Sequence, residues 1–115
     1  MYFPTLTPAQ ASLFALTHPP HQACAVHIAH HERLKGIPQH LLAAISKVES
    51  GRTDKLSGQF VAWPWTVNVN GEGFVFRTKE EAIRAVRRFQ SQGQKSIDVG
   101  CMQVNLLHHP KAFRS

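Results

Sequence analysis

The chain of 115 residues is long enough for one small domain with a hydrophobic core, and it gives no sign of a second domain. Hydrophobic residues make up 43% of the chain and charged residues 17%, a balance typical of globular proteins and not of disordered ones. Thirteen Lys and Arg against seven Asp and Glu give a net charge of +6, which favours attraction to a polyanion. The basic residues are scattered and aromatic residues do not alternate with them, so we expect no nucleic-acid site. No apolar run approaches the roughly 18 residues that a membrane span needs, so none is expected.

Four prolines and the lack of a sustained period mark the first part of the chain. We expect a poorly ordered leader over residues 1–20, followed by a single domain over residues 21–115. The leader lacks the basic start and the long apolar core of a secretory signal peptide, so the sequence leaves the export route open.

A helix is expected from about His21 to Lys35, with Gly36 as its cap. Its predicted inner stripe consists of Cys24, His27, Ile28, His31 and Leu34. His27 and His31 have the spacing of two metal ligands on a helix, but no third ligand follows at a recognisable spacing. We therefore expect no metal site.

The next helix is bounded by Pro38, which suits the first helical position, and by Gly51, which suits the position just past the end. Apolar residues recur along it at three- and four-residue spacing, and they are Leu41, Leu42, Ala44, Ile45 and Val48. Glu49 lies at the edge of this stripe, in the last turn.

Desolvation against Leu42 and Ile45 and the negative end of the helix dipole are expected to favour the protonated form of Glu49. A carboxylic acid that stays neutral can protonate a glycosidic oxygen, as general acids of glycosidases do. The alternative is a structural Glu that reaches solvent at a helix end.

Beyond a polar loop, Val61–Val69 and Gly73–Arg77 read as two strands joined by Asn70-Gly71, the strongest short hairpin signal. One of Trp63 and Trp65 is expected in the core. Trp65, close to Thr66 and Asn68, is the candidate for stacking on a sugar ring, with Asn68 binding its hydroxyl groups.

Thr78 and Glu81 form a capping box that opens a helix to about Gln92, stopped by Gly93. The expected core stripe of this helix is Ala82, Ile83, Val86 and Phe89, and the expected outward side chains are Arg84, Arg87 and Arg88. The segment from Ser96 to Asn105 is expected to be a compact loop with a short extended piece.

Two motifs lie about fifty residues apart: Glu49-Ser50-Gly51 after an apolar helix, and then Asp98-Val99-Gly100-Cys101-Met102-Gln103-Val104-Asn105. Together they resemble the lytic transglycosylase SLT family, most closely its small members associated with secretion and conjugation. The resemblance covers the chain from about Cys24 to the C-terminus. It implies a mainly α (α+β) lysozyme-like domain with a small β-hairpin.

The family commonly carries a later motif whose Tyr points at the catalytic Glu. Here the only tyrosine is Tyr2, so the C-terminal part of the usual fold is expected to be missing. Another chain would supply it, or the protein would be a truncated version.

The resemblance implies that Glu49 is the sole catalytic carboxyl group and that no cofactor is needed. As an acid it would protonate the β-1,4 bond between N-acetylmuramic acid and N-acetylglucosamine. As a base it would then help the C6 hydroxyl attack to form a 1,6-anhydro product, because an intramolecular nucleophile replaces water.

The other motif residues take their implied roles from the same family. Ser50 would bind the acetamido group, orient Glu49 or cap the helix end. Met102 would line the cleft, Gln103 would offer its amide to a sugar, and Asn105 would bind substrate or fix its loop. The implied partners are peptidoglycan strands and an envelope-spanning secretion or conjugation machine, in the periplasm or cell envelope.

Cys24 and Cys101 are the only cysteines, and they are either buried free thiols or, outside the cytoplasm, a disulfide.

Two rival functions involve the cell wall, and a third, a basic nucleic-acid binder, is disfavoured by the scattered basic residues. The first is a hydrolysing muramidase whose water is placed by Asp54 or Asp98, although Asp98 is expected to accept hydrogen bonds from backbone N–H groups of its loop. The second is an inactive truncated wall-binding module. Three further acids, Glu32, Glu80 and Glu81, have the positions of helix-surface or capping residues.

Overall fold

The computed structural model describes residues 18–113, and this part of the chain forms three helices and six short strands. The elements are α1 (Pro20–Lys35), α2 (Leu41–Ser50), β1 (Gly51–Thr53), β2 (Phe60–Ala62), β3 (Thr66–Val69), β4 (Glu72–Val75), α3 (Lys79–Ser91), β5 (Ile97–Val99) and β6 (Val104–Asn105). The α+β class is therefore confirmed. Residues 1–17 of the expected leader lie outside the described residues, and Pro20 already opens α1.

Helix α1 begins with Pro20 and ends at Gly36, whose left-handed φ of 65° and N–H bonds to the carbonyls of Arg33 and Glu32 confirm the expected cap. Its buried residues are Cys24, Ile28 and Glu32, one straight row at four-residue spacing. The expected stripe was wrong at His31 and Leu34, which are exposed. This row lies on the side where α1 packs on α2 and β2.

Helix α2 begins at Leu41 and not at Pro38, because His40 takes a left-handed φ of 70° just before it. The buried carboxylate of Glu32 accepts hydrogen bonds from the N–H groups of His40, Leu42 and Ala43. Glu32 thus caps a helix other than its own, and negative charge at that end also suits the helix dipole.

The predicted apolar face of α2 was also wrong. The buried residues are Ser46 and Ser50, with Leu42 and Ala43 half-buried, whereas Ile45 is 39% and Val48 85% exposed. Exposed Leu41 and Ala44 share the outward side. Helix α2 packs inward through Leu42 and smaller side chains, while Leu41, Ile45 and Val48 face outward.

Two antiparallel sheets follow. Strands β1 and β2 pair with each other, and the second sheet has the order β4-β3-β5-β6. The Asn70-Gly71 hairpin is confirmed between β3 and β4, with positive φ at both turn residues. The expected ribbon was incomplete, because β5 pairs with β3, β6 pairs with β5, and Phe60–Ala62 belongs to the other sheet.

Helix α3 has the expected cap, since Thr78 Oγ1 accepts from the Glu81 N–H, but Glu81 Oε2 reaches back to the N–H of Arg77, one residue before the cap, and not to that of Thr78. Ala82 and Ala85 are its buried residues, and Ile83, expected inside, is exposed. Arg84, Arg87 and Arg88 are exposed, as expected.

The interior divides into two apolar clusters. The first lies between α3 and the larger sheet, around Val67, Val69, Ala82 and Ile97. The second consists of Cys24, Ile28 and Ala62 together with half-buried Leu42, Ala43, Cys101 and Met102. A disulfide joins Cys24 of α1 to Cys101 of the loop between β5 and β6. Within residues 18–113, no helix combines the length and the apolarity needed to cross a bilayer.

Candidate active site around Glu49

Ser50 connects the two motif segments. Its buried hydroxyl lies 2.8 Å from the carbonyl oxygen of Cys101, and 3.2 Å from that of Ser46, one turn back in α2. The end of α2 and the loop after β5 therefore meet, although they are 51 residues apart in the chain. The Ser50 hydroxyl is used inside the fold, at the helix end and across to the loop.

Glu49 lies in the last turn of α2, and its side chain is exposed. The apolar stripe expected beside Glu49 does not form, because Leu42 faces the core while Ile45 faces outward. The carboxyl group is open to a polymer that approaches from solvent.

The loop Gly100–Gln103 is held against strand β3. The amide nitrogen of Gln103 donates to the carbonyls of Thr66, at 3.1 Å, and Gly100, at 2.9 Å. The Gly100 N–H also donates to the Thr66 carbonyl, and both Gly100 and Gln103 have positive φ. The Gln103 nitrogen that was expected to meet a sugar therefore fixes the loop, and Met102 packs on the Cys24–Ile28–Ala62 cluster.

Asn105 organises the chain on both sides of this loop. Its Nδ2 donates to Asp98 Oδ1 at 2.9 Å and to Ser96 Oγ at 3.3 Å, while its Oδ1 accepts from the N–H groups of Leu107 and His108. Asn105 thus fixes its loop, one of the two roles expected for it. Asp98 bonds a side-chain amide instead of the expected backbone N–H groups.

A row of polar residues crosses the larger sheet. Asn68, Asp98 and Asn105 are partners in register on three adjacent strands, and all three are half-buried. They occupy the face opposite Val67 and Val69, which point into the α3 core. Within this row the Asn105 amide and the Asp98 carboxylate bond to each other, and Asn68 carries the third polar side chain.

Trp65 packs on the α3 core and lines a groove of about 550 Å³ between that helix and the sheet, where Gly100 also lies. Glu49 and Gln103 are not among the residues that line this groove. Sequence reasoning expected Trp65 in the cleft of Glu49, whereas the structure places it in a groove that Glu49 does not line.

Trp63 is the tryptophan bonded to the Glu49–Ser50 segment, since its N–H donates to the Ser50 carbonyl at 3.1 Å. Arg52 stacks on its ring. Sequence reasoning chose Trp65 over Trp63 and gave Arg52 no role, because Arg52 and Trp63 meet through the pairing of Gly51 with Ala62, which no local pattern signals.

Asp54, a candidate base for hydrolysis, serves its own loop. Hydrogen bonds from the side chain and the N–H of Ser57 lower the pKa of Asp54. This carboxylate stays ionised and bonded within the turn that joins β1 to β2.

His27 and His31 do not gain a third metal ligand. Over residues 18–113, no three His, Cys, Asp or Glu side chains come together as a group that could hold a metal ion. His30 and His31 stack edge to face on the exposed side of α1.

Comparison of the chain with models of protein families, with curated proteins and with solved structures finds no match.

Proposed function

We propose that the chain is a lysozyme-like peptidoglycan lytic transglycosylase in which Glu49 acts first as acid and then as base. The observation that carries the proposal is the hydrogen bond from Ser50 to the Cys101 carbonyl. It joins the Glu-Ser-Gly end of α2 to the Gly-Cys-Met-Gln loop, the two segments on which the family resemblance depends. Chance similarity of two short motifs would not require them to touch.

In the proposed reaction, Glu49 gives its proton to the glycosidic oxygen as the bond from C1 of N-acetylmuramic acid breaks. The resulting carboxylate takes the proton of the C6 hydroxyl as that oxygen bonds to C1 and closes the 1,6-anhydro ring. Proton and bond balances both close without a cofactor. The exposure of Glu49 supports this role, because a glycan strand must reach the carboxyl group from solvent.

The net charge of +6 suits an anionic wall, and local wall opening suits a secretion or conjugation machine in the cell envelope. We place the protein there, in the periplasm or at the wall.

Mass spectrometry of digested cell wall tests the reaction. Transglycosylation yields anhydro ends, which are one water molecule lighter than the reducing ends of hydrolysis. Glu49→Gln should abolish product release, while the matched control Glu72→Gln, at an exposed position in β4, should retain it. Reducing ends alone would replace this proposal by a muramidase that uses Asp54 or Asp98.

A second candidate, a wall-binding module without activity, is favoured by the internal bonding of the Ser50 hydroxyl and the Gln103 amide, two groups that the family resemblance would place on the substrate. Under this alternative, neither the wild-type protein nor Glu49→Gln releases products, and both bind the wall equally.

A further inference from the structure

Arg52 lies three residues after Glu49, in strand β1, and is half-buried. The central carbon of its guanidinium is 5.1 Å from the centre of the Trp63 ring, within the range of a cation–π contact. The contact follows from the register: Arg52 pairs with Val61, and Trp63 lies two residues further on the same side. The guanidinium is thus held in place beside the end of α2.

The Trp63 ring is itself fixed. Its Nε1–H donates to the Phe76 carbonyl at 2.7 Å, and its backbone N–H donates to the Ser50 carbonyl at 3.1 Å. The first bond limits rotation of the ring, and the second holds the backbone of Trp63 to the end of α2. The ring is therefore positioned beneath the guanidinium by contacts within the fold.

Arg52 has no acidic partner in the part of the chain that the structure describes: within residues 18–113 no carboxylate forms an ion pair with it. A guanidinium carries five N–H donors in a planar fork, and its in-plane edge matches a carboxylate. A half-buried arginine stacked on a ring keeps that edge for a ligand.

We propose that Arg52 and Trp63 form a subsite for a carboxylate carried by the glycan strand, next to the bond that Glu49 cleaves. This inference rests on the proposed function, because the wall polymer supplies the carboxylates of its peptide stems and of those lactyl groups that carry no stem. The subsite selects strands that carry acidic side groups over neutral polysaccharides.

Binding to solubilised wall fragments, measured in a Glu49→Gln background that cannot cleave them, tests the subsite. Arg52→Gln should weaken binding about tenfold, the loss expected for one charge-assisted pair. Arg88→Gln, which removes the same charge from the exposed face of α3, should leave binding nearly unchanged. Arg52→Lys keeps the positive charge but not the planar fork of donors, and it should lose most of the affinity that Arg52 contributes.

Wall fragments whose carboxylates have been converted to neutral amides provide the second arm. They should bind the Glu49→Gln protein about tenfold more weakly, and Arg52→Gln should add no further loss. Equal losses in Arg52→Gln and Arg88→Gln, no effect of amidation, or no binding of native fragments would each overturn the subsite. Failure of the proposed function is seen separately, as the absence of anhydro products from the wild-type protein.

Discussion

At Gly51 the chain leaves α2 with φ −65° and ψ 139°, a conformation open to any residue. Space, and not backbone conformation, requires glycine here. A Cβ atom would lie 2.1 Å from the Lys47 carbonyl oxygen and 2.4 Å from the ring of Phe60. The close approach lets β1 turn directly out of the helix that carries Glu49.

Gly51→Ala should therefore lower the free energy of unfolding by about 2–4 kcal/mol, because a backbone oxygen must move. The control is Gly73→Ala, where the nearest atom to a new Cβ is 3.9 Å away. It should be neutral or stabilising by up to about 1 kcal/mol. Urea unfolding of both variants measures the difference, and similar stabilities would show that α2 and β1 do not meet as closely as described.

His27, on the half-buried side of α1, links stability to pH. Burial lowers the pKa of His27, and the nearby His18, His31 and His30 lower it further. The unfolded chain, with the ordinary pKa near 6.5, then binds more protons than the folded chain in the range just below it. Stability contributed by neutral His27 is present above about pH 6.5 and falls as pH drops through that window.

Unfolding free energies at about pH 7.5 and about pH 5.5 should accordingly differ more in the wild-type protein than in His27→Gln. Exposed His109 provides the matched control, and His109→Gln should keep the wild-type difference. Equal pH dependence in all three proteins would contradict the assignment to His27.

Sequence periodicity predicted helix α2 at the right place in the chain but assigned the wrong side of it to the core. Leu41 and Leu42 are adjacent, and the periodicity placed both inside, yet Leu41 is 48% exposed while Leu42 packs on the Cys24–Ile28–Ala62 cluster. Leu42→Ala should cost about 2–3 kcal/mol of unfolding free energy, and Leu41→Ala less than about 1 kcal/mol. Chemical denaturation measures both losses, and equal losses in the two variants would mean that Leu41 is buried as well, as periodicity predicts.

Elements set by local chemistry could be predicted from the sequence. The Thr78–Glu81 capping box, the Asn70-Gly71 turn and the Gly36 cap each depend on residues within a few positions of one another. The start of α2 could not be predicted, since its cap comes from Glu32, ten residues before Leu42. Strands β5 and β6 likewise find their sheet only through long-range pairing.

In the candidate site, too, some features could be predicted from the sequence and others could not. The motif pattern placed Glu49 at a helix end, and the family resemblance paired that end with the later loop. The internal use of the Ser50 hydroxyl and the Gln103 amide depends on carbonyl groups 51 and 37 residues away, at Cys101 and Thr66. Contacts of that range follow from tertiary packing, which periodicity does not contain.

On the scale of the whole molecule, the loop Gly100–Gln103 lies at the junction of the two apolar clusters. Gly100 and Gln103 hold it to the sheet through Thr66, while Cys101 and Met102 pack with α1. Helix α2 joins the same junction through Ser50. Any movement between the clusters would therefore displace the candidate site.

The Cys24–Cys101 disulfide crosses this junction and closes a loop of 77 residues, with the two Cα atoms 5.7 Å apart. In the chain-entropy account a loop of this length is worth about 4–5 kcal/mol, because the cross-link restricts the unfolded chain. Replacing both cysteines by serine should lower the unfolding free energy of the protein by about 3–5 kcal/mol, and a reductant should lower that of the wild type similarly. Under the proposed function, binding to wall fragments should weaken as well, since the Cys101 carbonyl that accepts the Ser50 hydrogen bond loses its anchor to α1. Denaturation curves with and without reductant test this prediction. A wild-type midpoint that does not change with reductant would mean that this cross-link does not hold the two clusters together.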